Sequence, residues 1–257
     1  MTRRAYFLPI VAVVLLASCR QARLGDARSQ YLRGEYFAAS ETYRRVYRDI
    51  RPDQRAMRGV VAYEMAEACR RLNLVSRAAN AYANAIRYNY PDTVLYLRYA
   101  QTLHKLGKYR QAQQAYENFL KLDSGNILGV NGLLGVQQAM ERKHSTSRYV
   151  VKRMEIFNSN RGEFSPAFAK RDAVLYITSS RNEARGDSLS NITGMKYNDI
   201  FIAARNDKGE WQRPAIMDSE INTPFDEGTP SVSADDNYLF YTYSPVDYQV
   251  ASLPRIY

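Results

Sequence analysis

The sequence predicts a chain that is helical first and β-rich second, with an α-solenoid of stacked hairpins leading into a run of short strands. Three observations predict this. Three segments, Gly34–Val46, Asn73–Ala85 and Gly107–Phe119, superimpose on one pattern: a small turn residue, an apolar or aromatic residue at +2, alanine at +5, tyrosine at +9 and an apolar residue at +12. After Ser145-Thr146-Ser147 the helical periodicity stops and β-rich runs begin. The charge also changes sign. Residues 20–155 hold 24 Lys+Arg against 12 Asp+Glu, whereas residues 156–257 hold 10 against 14. Such asymmetry marks two units with different surroundings.

The chain opens on a short basic start, Met1 to Arg4, and an apolar run from Ala5 to Ala17. That run is shorter than the ~20 residues a membrane-spanning helix needs. It reads as a secretory signal, residues 1–18. Leu16-Ala17-Ser18-Cys19 closes it and resembles the bacterial lipobox. The resemblance implies cleavage before Cys19 and a lipid on its sulfur, followed by a linker over residues 19–25. The residues after it, Arg20-Gln21-Ala22-Arg23, carry no acid, which favours an outer-membrane lipoprotein facing the periplasm. With Cys19 acylated, only Cys69 remains, so no intrachain disulfide forms; Cys69 falls on an apolar helical face as a small buried side chain.

The helical part spans residues 26–144. Ala39 to Ala78 is 39 residues and Ala78 to Ala112 is 34; the longer first spacing fits an extended turn around Asp49-Ile50-Arg51-Pro52-Asp53. Twelve residues before each anchor stand Ala27, Ala66 and Ala100, small enough for the two helices of a hairpin to close. Tyr43, Tyr82 and Tyr116 fill the gap to the next hairpin, and Pro52 and Pro91 stop the second helices. These residues resemble the tetratricopeptide repeat, whose period is ~34 residues. Leu106-Gly107-Lys108-Tyr109 is the best match, and Asn73 takes the glycine place in the second repeat. Asn126 to Lys143 reads as a terminal helix closing the stack, although Gly129, Gly132 and Gly135 argue against its regularity. The resemblance implies that the first helices line a concave groove for a peptide or protein partner, with Arg28, Glu64, Glu67, Arg70, Arg98, Gln101 and Lys105 exposed along it. The basic excess fits either a well-solvated helical surface or an acidic partner.

The β-rich part covers residues 145–257, with runs at Arg148 to Ile156, Ala173 to Thr178, Asp199 to Ala203 and Tyr238 to Tyr243. Two stretches align 64 residues apart, pairing Pro166 with Pro230, Leu175 with Leu239 and Thr178 with Thr242. Ser165-Pro166, the Leu-aromatic strands and Asp199-Ile200-Phe201 resemble the WD40-like β-propeller repeat of bacterial envelope proteins. A closed propeller takes at least ~four blades, and this stretch has room for about two, so the expectation is an incomplete WD40-like propeller. Ser244 to Tyr257 does not resume the blade pattern. Asn182 to Lys196 reads as a loose polar insertion, Asp226-Glu227 as loop residues before a strand, and Asp235-Asp236-Asn237 as a strand-connecting turn in preference to a calcium site.

Enzyme constellations are missing from the sequence. It has no G-x-S-x-G, H-E-x-x-H, P-loop or Rossmann glycine run, and His104 and His144 have no ligand partner at metal spacing. The expectation is therefore a non-enzyme without a cofactor. The order lipobox, tetratricopeptide repeats, WD40-like propeller resembles Bacteroidetes outer-membrane lipoproteins that continue into an OmpA-like, peptidoglycan-binding domain, some of them in type IX secretion. That resemblance implies a lipid-anchored scaffold for envelope proteins, reaching peptidoglycan only through a C-terminal domain that this sequence does not include; nucleic acid is excluded by export. Two alternatives are the non-catalytic part of a propeller-bearing hydrolase and a glycan-uptake accessory lipoprotein.

Overall fold

A computed structural model of the chain describes residues 23–142, 149–245 and 253–257. The signal segment, Cys19 and Ser145-Thr146-Ser147 lie outside the described residues. The chain divides into a helical unit and a β unit, the main boundary falling between Arg148 and Tyr149.

The helical unit is built from α1 (residues 23–32), α2 (Tyr36–Asp49), α3 (Arg55–Arg71), α4 (Val75–Arg87), α5 (Val94–Lys105), α6 (Tyr109–Leu122) and α7 (Ile127–Arg142). Successive helices pair into three hairpins, and α7 packs on the last of them. The repeat register is visible in burial. Ala27, Ala39, Ala66, Ala78, Ala100 and Ala112 are all fully buried, and so are Tyr43, Tyr82 and Tyr116. Alanine at the crossing points lets the helices approach, and one tyrosine per hairpin fills the space between neighbours.

The three hairpin turns are one motif. Gly34, Asn73 and Gly107 each adopt a left-handed backbone, with φ of 82°, 59° and 70°. At each turn two backbone bonds reach back three and five residues: Gly34 N–H to Tyr31 O with Glu35 N–H to Gln30 O, Asn73 to Arg70 with Leu74 to Cys69, and Gly107 to His104 with Lys108 to Leu103. This is the Schellman pattern, which satisfies the last carbonyls of the helix. Asparagine tolerates the left-handed region better than other side chains, so Asn73 can stand in for glycine.

Helix α7 is the terminal helix expected, and its glycines do not interrupt it. It runs unbroken over 16 residues. A Cβ on Gly132 would lie 2.3 Å from the Tyr116 ring, and one on Gly129 would lie 2.8 Å from Phe119. The glycines trade helix propensity for a close approach of α7 to α6.

The β unit contains two antiparallel sheets. The first has β1 (Glu163–Ala169), β2 (Val174–Ser179), β3 (Asp199–Ala204) and β4 (Ala215–Ile216) in that order; the second has β5 (Asp226–Val232), β6 (Leu239–Ser244) and β7 (Arg255–Ile256). No closed propeller is formed by the described residues. In the first sheet Leu175 pairs with Ala203 and Ile177 with Phe201, so these share a face with Phe157 and Trp211. The opposite face carries Tyr176, Thr178 and Ile200 and packs on β5: Thr229 N–H donates to Thr178 Oγ1 at 2.9 Å. Gly228 is needed there, because a Cβ would meet the Thr178 methyl at 2.9 Å.

The 64-residue repeat is deeper than its apolar positions suggest. Ser165 and Thr229 carry the same left-handed bulge, with φ of 49° and 50°, and Asp172 and Asp236 are left-handed in the turns that follow, at 64° and 60°. Ser159 donates its backbone N–H and its hydroxyl to the Glu163 carboxylate, and Thr223 does the same to Glu227.

Four expectations are corrected here. No strand forms over Tyr149 to Ile156, and Val150 and Val151 stand exposed. Ser244 to Tyr257 does rejoin the sheet, because Ile256 pairs with Thr242 and Tyr257 exchanges backbone bonds with Tyr241. Asn182 to Lys196 is partly packed, with Ala184 and Ser190 buried. Asp226-Glu227 begins β5 instead of preceding it, and Glu227 is buried by the Thr223 clip.

Candidate functional site

The first helices of the hairpins, α1, α3 and α5, each carry partly exposed polar side chains, and a side-chain pair joins α1 to α3. On α1 and α3, Arg28 grips Glu64 with two nitrogens, Nη2 to Oε1 at 2.7 Å and Nε to Oε1 at 3.0 Å. Beside this pair Tyr63 stacks on Tyr90 with ring centroids 4.5 Å apart. One turn further along α3, Glu67 accepts from Arg70 Nη2 at 2.6 Å and from the Tyr82 hydroxyl. On α5, Arg98 donates to Gln101 at 3.2 Å.

Arg70, Asn73, Val75, Ala78, Gln101, Thr102 and Lys105 enclose a cavity of about 210 Å³. Three of the seven sequence-predicted residues, Arg70, Gln101 and Lys105, therefore meet in one place. Glu67 sets the guanidinium of Arg70, while Arg28 and Glu64 pair with each other away from that cavity. Arg28 and Lys105 are exposed; Glu64, Glu67, Arg70, Arg98 and Gln101 are half-buried.

The Glu67 carboxylate is half-buried, which disfavours its charge, yet its hydrogen bonds to Arg70 and Tyr82 outweigh burial and hold it below the usual carboxylate range. Tyr82 has its own ionisation pushed up by burial and by Glu67. Glu67 is thus an anion held between a cation and a phenol, and Arg70, which it holds, lines the cavity. The chemistry available is recognition of an anionic or carbonyl group by Arg70, Lys105, Gln101 and the Asn73 amide.

Sequence reasoning missed Tyr63, Tyr90 and Asn73. Tyr63 lies on α3 four residues before Glu67 and so shares its helix face, a signal that was available. Asn73 was read as a turn residue alone. The Tyr63–Tyr90 stack is half-buried against the second hairpin's core, and burial pushes the Tyr63 hydroxyl up to about 12.

In the β unit the buried acids Asp199 and Glu227 lie together where the two sheets meet. Asn222 ties that junction, accepting from Ile200 N–H at 2.8 Å and donating to Ile200 O at 2.9 Å. Asp235 and Asp236 form a turn: Asp235 accepts from the Ser233 hydroxyl and the Asn237 amide. Among the described residues no group of three or more His, Cys, Asp or Glu side chains is placed to hold a metal ion, and no helix is long and apolar enough to cross a membrane.

The helical unit is thus a stack of hairpins whose first helices carry partly buried polar side chains. No protein-family model and no curated protein matches the chain. Solved structures that it is similar to are tetratricopeptide-repeat domains. The first such domain of human RPAP3 is 23% identical over 48% of this chain and 94% of its own, with a TM-score of 0.40. The domain of Sgt2 from Aspergillus fumigatus is 15% identical over 52% of this chain and 87% of its own, with a TM-score of 0.41. The myosin chaperone UNC-45 from C. elegans, in complex with an Hsp90 peptide, is 18% identical over 49% of this chain but 14% of its own length, with a TM-score of 0.44.

Proposed function

We propose that the chain is a non-enzymatic interaction scaffold whose helical unit receives an extended segment of a partner protein along α1, α3 and α5, with an acidic group of that segment seated between Arg70 and Lys105. The observation that carries this reading is the convergence of Arg70, Asn73, Gln101 and Lys105 on one cavity, with Arg70 held in place by Glu67. The net positive charge of residues 20–155 supports an acidic partner by drawing it in over longer range.

We further propose that this scaffold works at the bacterial envelope, anchored to the outer membrane by a lipid on Cys19 and facing the periplasm, within an envelope complex of the type IX secretion or cell-wall-anchoring kind. The lipobox-like Leu16-Ala17-Ser18-Cys19 supports the anchor. Two measurements test the two parts separately. Cys19→Ser should release the chain from the membrane pellet into the soluble fraction; continued pelleting excludes the lipid anchor. For the groove, the membrane-anchored chain is captured with its bound proteins, beside the variant Lys105→Glu. The variant should lose about tenfold or more of the bound partner, the scale of one reversed charge-assisted contact. A partner retained equally by both chains excludes the Arg70–Lys105 cavity as the site.

A further inference from the structure

Asp199 and Glu227 bring two carboxyl groups into one buried place, at 0% and 1% exposure. The backbone around them is stitched across the junction of the two sheets. Glu227 N–H donates to Asn198 O at 2.9 Å, and Asn198 donates its own N–H and its side-chain amide to Asp226 Oδ1 at 2.9 and 2.7 Å. Asn222 brackets Ile200 one residue further along β3. Hydrogen-bond donors are scarcer at the carboxyls themselves. Both Glu227 oxygens accept from Thr223, one from its N–H and one from its hydroxyl. Asp199 Oδ2 accepts from the Arg185 N–H, but no donor among the described residues reaches the buried Asp199 Oδ1.

The 64-residue repeat shows what is unusual about this pair. Glu163 is the counterpart of Glu227, and Ser159 clips it as Thr223 clips Glu227. Around Glu163 the set of partners is completed by the Ser179 hydroxyl at 2.9 Å and the Arg181 guanidinium at 3.5 Å. Burial opposes the charge of Glu163, yet the bonds from Ser159 and Ser179 and the charge of Arg181 hold it below the usual carboxylate range. At the equivalent places in the second repeat, Tyr243 stands for Ser179 and Pro245 for Arg181. Glu227 thus lacks the arginine of its counterpart, and from β3 it meets a second acid. The other charged or titratable groups around the pair are Arg185, Asp226 beside Glu227, and Tyr241 and Tyr243 on β6. One cation therefore stands among three acids. Two bare carboxylates repel in such a place, whereas one proton between them removes a charge and supplies the donor that Asp199 Oδ1 lacks. Burial raises both ionisations, and at Asp199, which reaches about 7, Glu227 adds to it.

We propose that Asp199 and Glu227 share one proton and that this proton latches β5 to β3, so that the second sheet loosens from the first when the proton leaves. The two carboxyls titrate as a pair, because each sets the charge that the other meets. A proton bound more tightly in the closed junction stabilises that junction fully below the ordinary carboxylate range. The contribution is lost as pH rises through about 7, so the latch is closed in acid and opens in mild base. Glu163, with its arginine in place, has no proton to lose over the same range.

Hydrogen–deuterium exchange of the full-length chain in detergent, read at single amides and corrected for the intrinsic effect of pH, tests the latch. Glu227 N–H and Thr229 N–H are the reporters, because their acceptors, Asn198 O and Thr178 Oγ1, lie across the junction. Their opening should increase from pH 6 to pH 8, by up to about tenfold per pH unit, the limit for one proton. Amides inside the β2–β3 ladder should not follow. Asp199→Asn puts an amide donor where the unpartnered oxygen stands and cannot ionise, so both reporters should stay protected at pH 8. Glu227→Gln should do the same, and it serves if Asp199→Asn disturbs the fold. Carboxyl carbon-13 shifts give a second reading: Asp199 and Glu227 should titrate together near pH 7 in the parent. A pair already fully ionised at pH 6 overturns the proposal. So does junction protection that is flat from pH 6 to pH 8 in the parent, or that falls equally in the parent and the amide variants.

Discussion

Asp199 and Glu227 show how much one pair of side chains can say. Both are buried, and both have their ionisation pushed up. Burial is the main cause in each case, and at Asp199 the neighbouring Glu227 adds to it while the Arg185 N–H opposes it. Asp199 is raised to about 7. A carboxyl that holds its proton more tightly when folded stabilises the fold fully at pH below its unfolded value, and that contribution is lost as pH rises through about 7. The melting temperature of the β unit should therefore fall between pH 6 and pH 8, and Asp199→Asn should flatten the dependence; a parent profile already flat there contradicts the shift. The sequence made Asp199 legible as the start of a strand but hid Glu227. A charged residue next to Asp226 looks solvated until its partner is known, and that partner, Thr223, lies four residues upstream in a loop. The seven groove residues were legible as a helix face. Which of them meet was not, because Arg70 points where Glu67 and Tyr82 send it, and that bond crosses from α3 to α4.

At the scale of elements, periodicity carried the helical unit almost completely. Alanine and tyrosine positions fix which faces meet, and all of those named in advance are buried. The terminal helix was harder, because propensity and packing disagree there. Glycine costs a helix ~1 kcal/mol against alanine in isolation, but at Gly132 the space belongs to Tyr116. Gly132→Ala should thus lower stability in spite of its better propensity, by about 1–3 kcal/mol of overpacking. Gly125→Ala, with nothing within 4 Å of the new methyl, should be close to neutral. Thermal melting of the two variants distinguishes packing from propensity; equal melting points contradict the close approach of α7 to α6. The strand expected up to Ile156 failed for the opposite reason. Val150 and Val151 have strand propensity, but propensity does not make a strand where the fold offers no neighbouring strand to pair with.

For the whole molecule, the order helical unit then β unit was readable from the change of period and of charge sign. The repeat of 64 residues was readable only where it is apolar. Its polar half, the Ser159–Glu163 and Thr223–Glu227 clips and the paired left-handed bulges, is written in hydrogen bonds that no hydropathy pattern records. The third strand of the second sheet was missed because two residues, Arg255 and Ile256, are too short a run to show alternation.

Cys69 gives the helical unit its own clock. It is the only cysteine among the described residues, it is 4% exposed in the second hairpin, and burial pushes its thiol up to about 11. A buried thiol held in its neutral form is a poor nucleophile. Its labelling by a disulfide reagent must wait for α3 and α4 to separate, so the labelling rate measures how often that hairpin breathes. The β unit, with no thiol among its described residues, would be silent in the same measurement, and the opening of one half of the molecule could be timed while the other half stays dark.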